Sequence, residues 1–270
     1  NEVAIGFSFL EDNFLGTASR AGVSFSSDPV RTTFALEASQ PRFLGSNVGV
    51  GARWEDRSDG TVIRGRVIRP FYSVTDARGF SIIADYRDET VYQYLDGIDE
   101  PVDTLDHVMG AIRTTAAWAV SREKRRYTRV GVLAQLVRDN YQPAADSGPI
   151  PQTVTAAVGA YMESSRVRYI ARTGFQTFSR TEDIDLSTTL TTGVYAAPAL
   201  LGYDSPGIGL FAGLRLGAPF QNGFILFTGI SDGLITSAGV DSGGTVLATT
   251  VAWNPDSNSQ LVWHGSAGWL

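Results

Sequence analysis

Apolar and polar residues alternate along most of this chain, and a period of two places successive side chains on opposite faces of a β-strand. Between residues 18 and 26, Ala21, Val23 and Phe25 alternate with arginine, glycine and serine residues. The same alternation recurs in residues 48–55, 80–87, 154–161 and 166–175. The pattern predicts an all-β protein with roughly 12 to 15 strands, each apolar on one face and polar on the other.

Clusters of turn-forming residues separate the predicted strands. Asp, Asn, Gly, Ser and Pro residues gather at residues 27–29, 58–60, 221–223, 241–244 and 254–258, as expected for tight turns. Two longer connections, Leu95 to Asp106 and Gln142 to Gln152, are rich in Asp, Pro and Gly. Both are predicted to be loops rather than domain linkers, so residues 1–270 are predicted to form a single domain.

The length of the predicted strands indicates their surroundings. Many have roughly 10 to 15 residues, whereas strands in soluble sheets most often have about five or six. A tilted strand needs about 9 to 11 residues to cross a bilayer. The sequence therefore predicts an antiparallel transmembrane β-barrel of the outer-membrane type, complete or incomplete within this chain, with its apolar face toward lipid. A soluble barrel of the lipocalin kind would instead point its apolar residues inward.

The composition excludes several classes of function. The net charge is −6 and the pI is near 5.0, so the chain lacks the basic footprint that supplies most of the affinity for nucleic acid. It has no cysteine and only two histidines, His107 and His264. Neither a thiolate metal site nor a zinc-type ligand cluster is therefore expected, and no cofactor is predicted.

The chain contains no sign of a transmembrane helix or a signal segment. No apolar run approaches the roughly 18 to 20 residues that a membrane-spanning helix needs. The sequence opens at Asn1 without an initiator Met or a charged and then apolar leader, which indicates a mature or excised polypeptide. If the protein spans a membrane, it is expected to do so with strands.

A six-residue segment near the N-terminus has the composition of a hairpin turn, because Asp and Asn bond their own backbone in turns and Gly tolerates unusual dihedral angles. Its residues are Asp12, Asn13, Phe14, Leu15, Gly16 and Thr17. In their order they resemble the Asp-x-Asn-(aromatic or Leu)-Leu-Gly-Thr-Gly segment near the start of the barrel in the outer-membrane protein assembly superfamily, the BamA- and TamA-like surface antigens.

Two further segments follow in the order that this resemblance requires. They are Gln40-Pro41-Arg42-Phe43-Leu44-Gly45, similar to the family's Pro-x-Phe step, and Arg69-Pro70-Phe71-Tyr72-Ser73. The resemblance implies an outer-membrane barrel that inserts, assembles or translocates other outer-membrane proteins. Its implied partners are membrane lipids, together with unfolded outer-membrane clients or other subunits of a membrane complex.

The chain also departs from the family pattern. The family's Val-Arg-Gly-Phe/Tyr lid motif has no counterpart late in the sequence, and Ala77-Arg78-Gly79-Phe80 matches its letters too early, in a predicted hairpin. The POTRA domains that receive unfolded clients in the family are missing from this chain. Three explanations fit these departures: the POTRA domains were removed, the chain is a divergent member, or it is a fragment that ends before the barrel closes.

The first strand is the candidate seam of the barrel. Val3, Ile5, Phe7 and Phe9 form one of its faces. An unpaired strand edge exposes N–H and C=O groups that template another strand, so a weak seam between the first and last strands would capture a client strand by β-augmentation. Permanent pairing of the first strand is the alternative, and the sequence leaves both open.

Two other classes of function compete with assembly. A passive porin or structural barrel would use the polar face, whose predicted lumen-lining cations are Arg53, Arg64, Arg66, Arg166, Arg168 and Arg215, accompanied by Glu37, Glu55 and Asp85. Such residues either line a pore or neutralise one another. An outer-membrane lipid hydrolase would use His264 and Ser266, but these are predicted to point away from lipid, and no enzymatic activity is expected.

Overall fold

The structure is a computed structural model that describes residues 4–94, 101, 103–143, 153–173, 181–255 and 259–269. Within these residues the chain forms 16 strands and two short 3-10 turns, Phe43–Gly45 and Ala199–Leu201. The strands are β1 Ile5–Phe14, β2 Ser19–Ser27, β3 Thr32–Gln40, β4 Gly49–Arg57, β5 Gly60–Arg69, β6 Arg78–Gln93, β7 Asp103–Glu123, β8 Arg126–Pro143, β9 Thr153–Arg166, β10 Tyr169–Thr173, β11 Thr181–Asp185, β12 Thr188–Ala197, β13 Gly207–Phe220, β14 Gly223–Thr236, β15 Gly239–Trp253 and β16 Leu261–Trp269.

One antiparallel sheet contains 14 of these strands in sequence order, from β1 at one edge to β16 at the other. Its strands have between 9 and 21 residues. The remaining two strands, β10 and β11, form a separate hairpin between β9 and β12. The predicted all-β, antiparallel fold is confirmed.

Several predicted boundaries are wrong. Residues 103–106 and 142–143 belong to β7 and β8 rather than to loops, while residues 95–100, 102 and 144–152 lie outside the described part of the chain. The residues 241–244 lie inside β15, not in a turn. The pairing with β14 shifts from Leu234–Ser242 to Ile235–Val240, so Asp241 is the extra residue of a β-bulge. The turn itself precedes Gly239, whose φ is 121°.

The strand register divides the principal sheet into two faces. On the first, which we call the apolar face, Val23, Leu36, Trp54, Ile63 and Tyr86 lie directly opposite one another across β2 to β6. The register carries this face across the whole sheet, and all five tryptophans lie on it: Trp54, Trp118, Trp253, Trp263 and Trp269. These tryptophans are between 37% and 57% exposed. A broad apolar surface therefore remains uncovered by the chain itself.

The opposite face, which we call the polar face, carries charges on β2 to β8 and aromatic rings over glycines on β8 to β13. Tyr161 covers Gly131 on the neighbouring strand, and Phe211 covers Gly193 in the same way. Ring-over-glycine packing fills the space that a missing side chain leaves in a curved sheet. The rings of β9 and β13 are thus fixed against the sheet.

Leu186 and the paired strands β10 and β11, which lie between β9 and β12 in the chain, pack on the polar face near one end of the sheet. Leu186 is 1% exposed and forms the main buried apolar cluster with Phe224 and Ala252. Ile170 and Ile184 of the β10–β11 hairpin pack against this cluster. The hairpin therefore covers β13 to β15 where each strand approaches its turn.

Substitution of Gly131 with alanine is expected to destabilise the protein by about 1 to 3 kcal/mol because the added methyl group overpacks the site. A Cβ at this position would lie 2.5 Å from the Tyr161 ring and 2.7 Å from the Ala116 carbonyl oxygen. The matched control is Gly213→Ala, since a Cβ there would lie 3.7 Å from its nearest neighbour, Thr191. Urea unfolding followed by tryptophan fluorescence measures both; equal midpoints for the two variants would contradict the packing described.

Candidate functional site

Charged side chains form a continuous network on the polar face of β3 to β7. Glu37, Arg53, Arg64 and Asp85 lie directly opposite one another on four successive strands. Arg53 Nη1 lies 2.9 Å from Glu37 Oε2, and Arg64 Nε lies 3.7 Å from Asp85 Oδ1. Cross-strand neighbours of opposite charge stabilise a sheet face, so Glu37–Arg53 stabilises the pairing of β3 with β4 and Arg64–Asp85 that of β5 with β6. Arg53 and Arg64 are like charges opposite each other, and both contact Glu55.

Glu55 is the centre of the network. It is 5% exposed, and it accepts hydrogen bonds from Arg53 Nε at 2.7 Å and from Arg57 Nε at 2.9 Å. Arg64 Nη1 approaches it at 3.6 Å. Since a buried carboxylate without a partner is costly, these three arginines are what allow Glu55 to lie inside the sheet face as an anion.

A buried histidine extends the network onto β7 and β8. The Nε2 atom of His107 lies 2.7 Å from Asp139 Oδ1, and its Nδ1 lies 3.7 Å from Glu89 Oε1. Its ring stacks on Tyr141 with a centroid distance of 4.2 Å. The sequence pattern does not reveal this cluster. His107 directly follows residues 95–106, which are predicted to be a loop, whereas in the structure it lies on the polar face of β7.

The next row of the polar face contains arginines without carboxylates. Arg20, Ser39, Gly51 and Arg66 lie directly opposite one another, from β2 to β5. Together with the Glu37 to Asp85 row they line a cavity of about 520 Å³. Arg53, Arg64 and Arg66, which the sequence assigned to the lumen, all line this cavity.

The other predicted lumen arginines lie elsewhere. Arg166 falls on the apolar side of the register, at the end of β9, where it is exposed. The alternation of residues 166–175 predicts one continuous strand, but β9 ends at Arg166. The prediction that the Arg166 side chain lies on the polar face is therefore wrong. Arg168 lies on the connection that follows, and Arg215 lies on the polar face and donates to the Asp185 carbonyl oxygen at 2.8 Å.

The first edge of the sheet is formed by β1. Ile5, Phe7 and Phe9 are 64%, 61% and 65% exposed, respectively, and Phe7 stacks on Phe25 of β2 at 5.5 Å. Within the described part of the chain, β1 pairs with β2 alone and β16 pairs with β15 alone. The predicted seam residue Val3 lies outside the described residues.

The N-terminal motif ends β1 and forms the following turn. Asp12, Asn13 and Phe14 are the last residues of β1, and Leu15, Gly16 and Thr17 lie in the turn. The Asn13 side chain accepts a hydrogen bond from the Ala18 amide at 2.8 Å, and the Thr17 hydroxyl donates to the Phe14 carbonyl oxygen at 2.7 Å. These hydrogen bonds stabilise the turn that joins the edge strand β1 to β2.

The Arg69-Pro70-Phe71-Tyr72-Ser73 segment places an aromatic ring over the polar face. Arg69 ends β5, Pro70 is exposed, and the Phe71 ring lies against Gly79 at the start of β6. The guanidinium carbon of Arg129 lies 3.7 Å from the ring centroids of both Phe71 and Tyr127. Arg129 Nη1 also lies 3.1 Å from Glu163 Oε1. Because cation–π contacts and an ion pair hold Arg129, the loop after β5 is fixed to β8.

His264 and Ser266 lie on the polar face of β16, opposite in direction to Trp263 and Trp269. The Thr250 hydroxyl lies 3.0 Å from His264 Nδ1. Both side chains are exposed at the second edge of the sheet. The structure thus places this pair on the face that the sequence predicted for it.

Comparison with protein-family models gives no match for this chain, and comparison with curated proteins gives no significant match. None of the helices in the described part of the chain is long and apolar enough to cross a membrane. The described residues also contain no group of three or more His, Cys, Asp or Glu side chains arranged to hold a metal ion.

Proposed function

We propose that this protein is an outer-membrane β-barrel that acts in the insertion, assembly or translocation of other outer-membrane proteins, through a weak seam between its first and last strands. The observation that carries the proposal is the pair of sheet edges, β1 and β16, each of which has one partner strand among the described residues, on a sheet with one broad apolar face. No step of this function requires a cofactor or a covalent reaction.

The apolar face supports the membrane part of the proposal. Strands of 9 to 21 residues are long enough to cross a bilayer when tilted. At the end of the sheet where β5 meets β6, the apolar face carries aromatic rings close to the strand ends: Phe80, Trp118, Phe220, Trp253 and Trp263. Aromatic girdles of this kind mark the membrane–water interface of outer-membrane barrels.

The composition of the edge strands supports the seam. Soluble sheets protect their edges with Lys, Pro or inward-pointing charge. Neither Ile5–Phe14 nor Leu261–Trp269 contains Lys or Pro, and the second contains no Asp, Glu or Arg either. In lipid, the outward backbone N–H and C=O groups of these two edge strands are costly unless another strand pairs with them. A client strand that adds to β1 would satisfy these groups by β-augmentation.

Cysteine crosslinking tests the seam, and the chain offers a background with no cysteine. A Phe7→Cys variant in lipid vesicles is mixed under oxidising conditions with a synthetic strand peptide that alternates apolar and polar residues and carries one cysteine. The matched control is Phe25→Cys, because Phe25 faces Phe7 from the interior strand β2. We expect crosslinking at residue 7 and only background at residue 25.

Two results would contradict the seam. One is equal crosslinking of the peptide at residues 7 and 25. The other comes from a double variant that combines Phe7→Cys with Gly265→Cys or Ala267→Cys of β16. Complete intramolecular crosslinking of the two introduced thiols at every peptide concentration would show permanently joined edges.

A passive anion-conducting pore is the second candidate. It is favoured by one observation, the arginine-lined cavity on the polar face. Ion selectivity in barrels follows the sign of the charges that line the lumen. Steady single-channel conductance in planar bilayers, unchanged by the strand peptide, would favour the pore over the assembly function.

A further inference from the structure

Two adjacent rows of the polar face differ in their charge balance. The row that runs from Glu37 to Asp85 has two carboxylates beside Arg53 and Arg64. The next row contains Arg20, Ser39, Gly51, Arg66, Ile83 and Arg113 on β2 to β7, and no carboxylate. Around the cavity there are thus four arginines, at positions 20, 53, 64 and 66, and two carboxylates, Glu37 and Asp85. The lining itself is therefore cationic although the chain has a net charge of −6. Glu55 and Asp12 contact Arg53, Arg64 and Arg20 from outside the lining, so Arg66 is the arginine that these carboxylates leave unbalanced.

Small residues leave an opening between two of these arginines. Ser39 and Gly51 separate Arg20 from Arg66, which stand on strands about 14 Å apart at the usual strand spacing. Arg66 lies across Gly51, so that a Cβ at residue 51 would be 2.8 Å from Arg66 Nε. The Arg66 side chain therefore extends over the sheet toward Arg20.

Arg66 differs from its neighbours in its partners. Arg53 and Arg64 contact carboxylates of the same network. Arg20 Nε lies 3.3 Å from Glu37 and 3.7 Å from Asp12. The Arg66 side chain has no ion pair or hydrogen bond with any residue that the structure describes. Its planar guanidinium is available for a bidentate contact with an external anion.

We infer that this cavity binds a compact oxyanion, a phosphate, sulfate or carboxylate group, between Arg66 and Arg20 above Ser39 and Gly51. Arg66 is the principal ligand, and Arg20 and Arg64, which also line the cavity, add positive charge. A free anion and a lipid headgroup share this chemistry. The polar face points away from the apolar surface proposed to contact acyl chains, so the ligand is the free, water-soluble anion. This site does not depend on a client-accepting seam.

Binding of inorganic phosphate to the protein in non-ionic detergent, measured by calorimetry at low ionic strength, tests the inference. Arg66→Gln is expected to weaken binding roughly tenfold or more, because a charge-assisted bidentate contact is lost. Arg87→Gln is the matched control: it removes one positive charge from the polar face of β6, in a row beyond the Glu37 to Asp85 row and next to Glu89. Its affinity for phosphate is expected to stay close to that of the unmodified protein.

A second variant keeps the test decisive if Arg66→Gln does not fold. Ser39→Leu leaves every charge in place and fills the floor of the cavity, so it is expected to abolish phosphate binding. Equal phosphate affinity of folded Ser39→Leu or Arg66→Gln and the unmodified protein would overturn the inference. Binding of vesicles that contain phosphatidylglycerol, without binding of phosphate, sulfate or acetate in detergent, would also overturn it, because the ligand would then be a lipid.

Discussion

Replacement of Glu55 with glutamine is expected to lower the free energy of unfolding by about 3 kcal/mol, since it removes the buried negative charge that three guanidinium groups share. The Glu55 carboxylate is almost completely buried and contacts Arg53, Arg57 and Arg64. Each arginine keeps one other carboxylate, Glu37 for Arg53, Glu89 for Arg57 and Asp85 for Arg64, but all three would face a neutral amide in place of the buried anion. Urea unfolding in detergent micelles, followed by tryptophan fluorescence, measures the loss.

The matched control removes an exposed carboxylate from the same face. The Asp12 side chain is 78% exposed and lies 3.7 Å from Arg20, so Asp12→Asn is expected to change stability by less than about 0.5 kcal/mol. If Glu55→Gln unfolds at the same urea concentration as Asp12→Asn, the network around Glu55 does not stabilise the sheet.

Replacement of Val194 with arginine has the second large expected effect. Val194 lies on the apolar face of β12 between Ala160 and Leu210, and it is 44% exposed. If this face contacts acyl chains, an arginine near the middle of the strand is expected to cost about 2 to 4 kcal/mol in a bilayer. If the face contacted water, the same surface change would alter stability by less than about 0.5 kcal/mol.

The control for this charge lies on the same strand. Thr191 is on the polar face of β12, opposite Glu163 on one side and Gly213 on the other. An arginine at residue 191 has room above Gly213 and an acidic partner, so Thr191→Arg is expected to leave stability nearly unchanged. Unfolding of both variants in phospholipid vesicles gives the comparison. Similar losses for the two would show that β12 does not separate lipid from water.

Local alternation was enough to predict most of the strands and the division of their residues between faces. The residues Ala21, Val23 and Phe25 share one face of β2, because every second side chain of a strand points to the same side of the sheet. The same rule placed Arg53, Arg64 and Arg66 on one face of β4 and β5. These residues need no information from distant parts of the chain.

Features that depend on pairing between strands could not be predicted in this way. The bulge at Asp241 changes the register of β15 with β14. Residues 241–244 have the composition of a turn although they lie inside β15. The end of β9 at Arg166 and the new hairpin after it break an alternation that continues in the sequence. His107 meets Asp139 and Glu89 only because three strands align them.

The same limit applies to the candidate sites. The exposure of Ile5, Phe7 and Phe9 follows from the position of β1 at the edge of the sheet. That position could be predicted, because β1 is the first strand of the chain. Among the described residues the Arg66 side chain has no partner while that of Arg64 has two, and this difference depends on which residues stand opposite each arginine. Ion pairing across strands depends on the register, and the alternation of residues within one strand does not predict the register with its neighbours.

Quenching of the native tryptophans tests most directly the idea that the apolar face contacts lipid. All five tryptophans lie on that face, so no substitution is needed. In vesicles of phospholipid brominated on the acyl chains, we expect strong quenching of their fluorescence and little quenching by aqueous acrylamide. Strong acrylamide quenching with no effect of the brominated lipid, in protein that stays folded and soluble without detergent, would contradict a lipid-facing apolar surface.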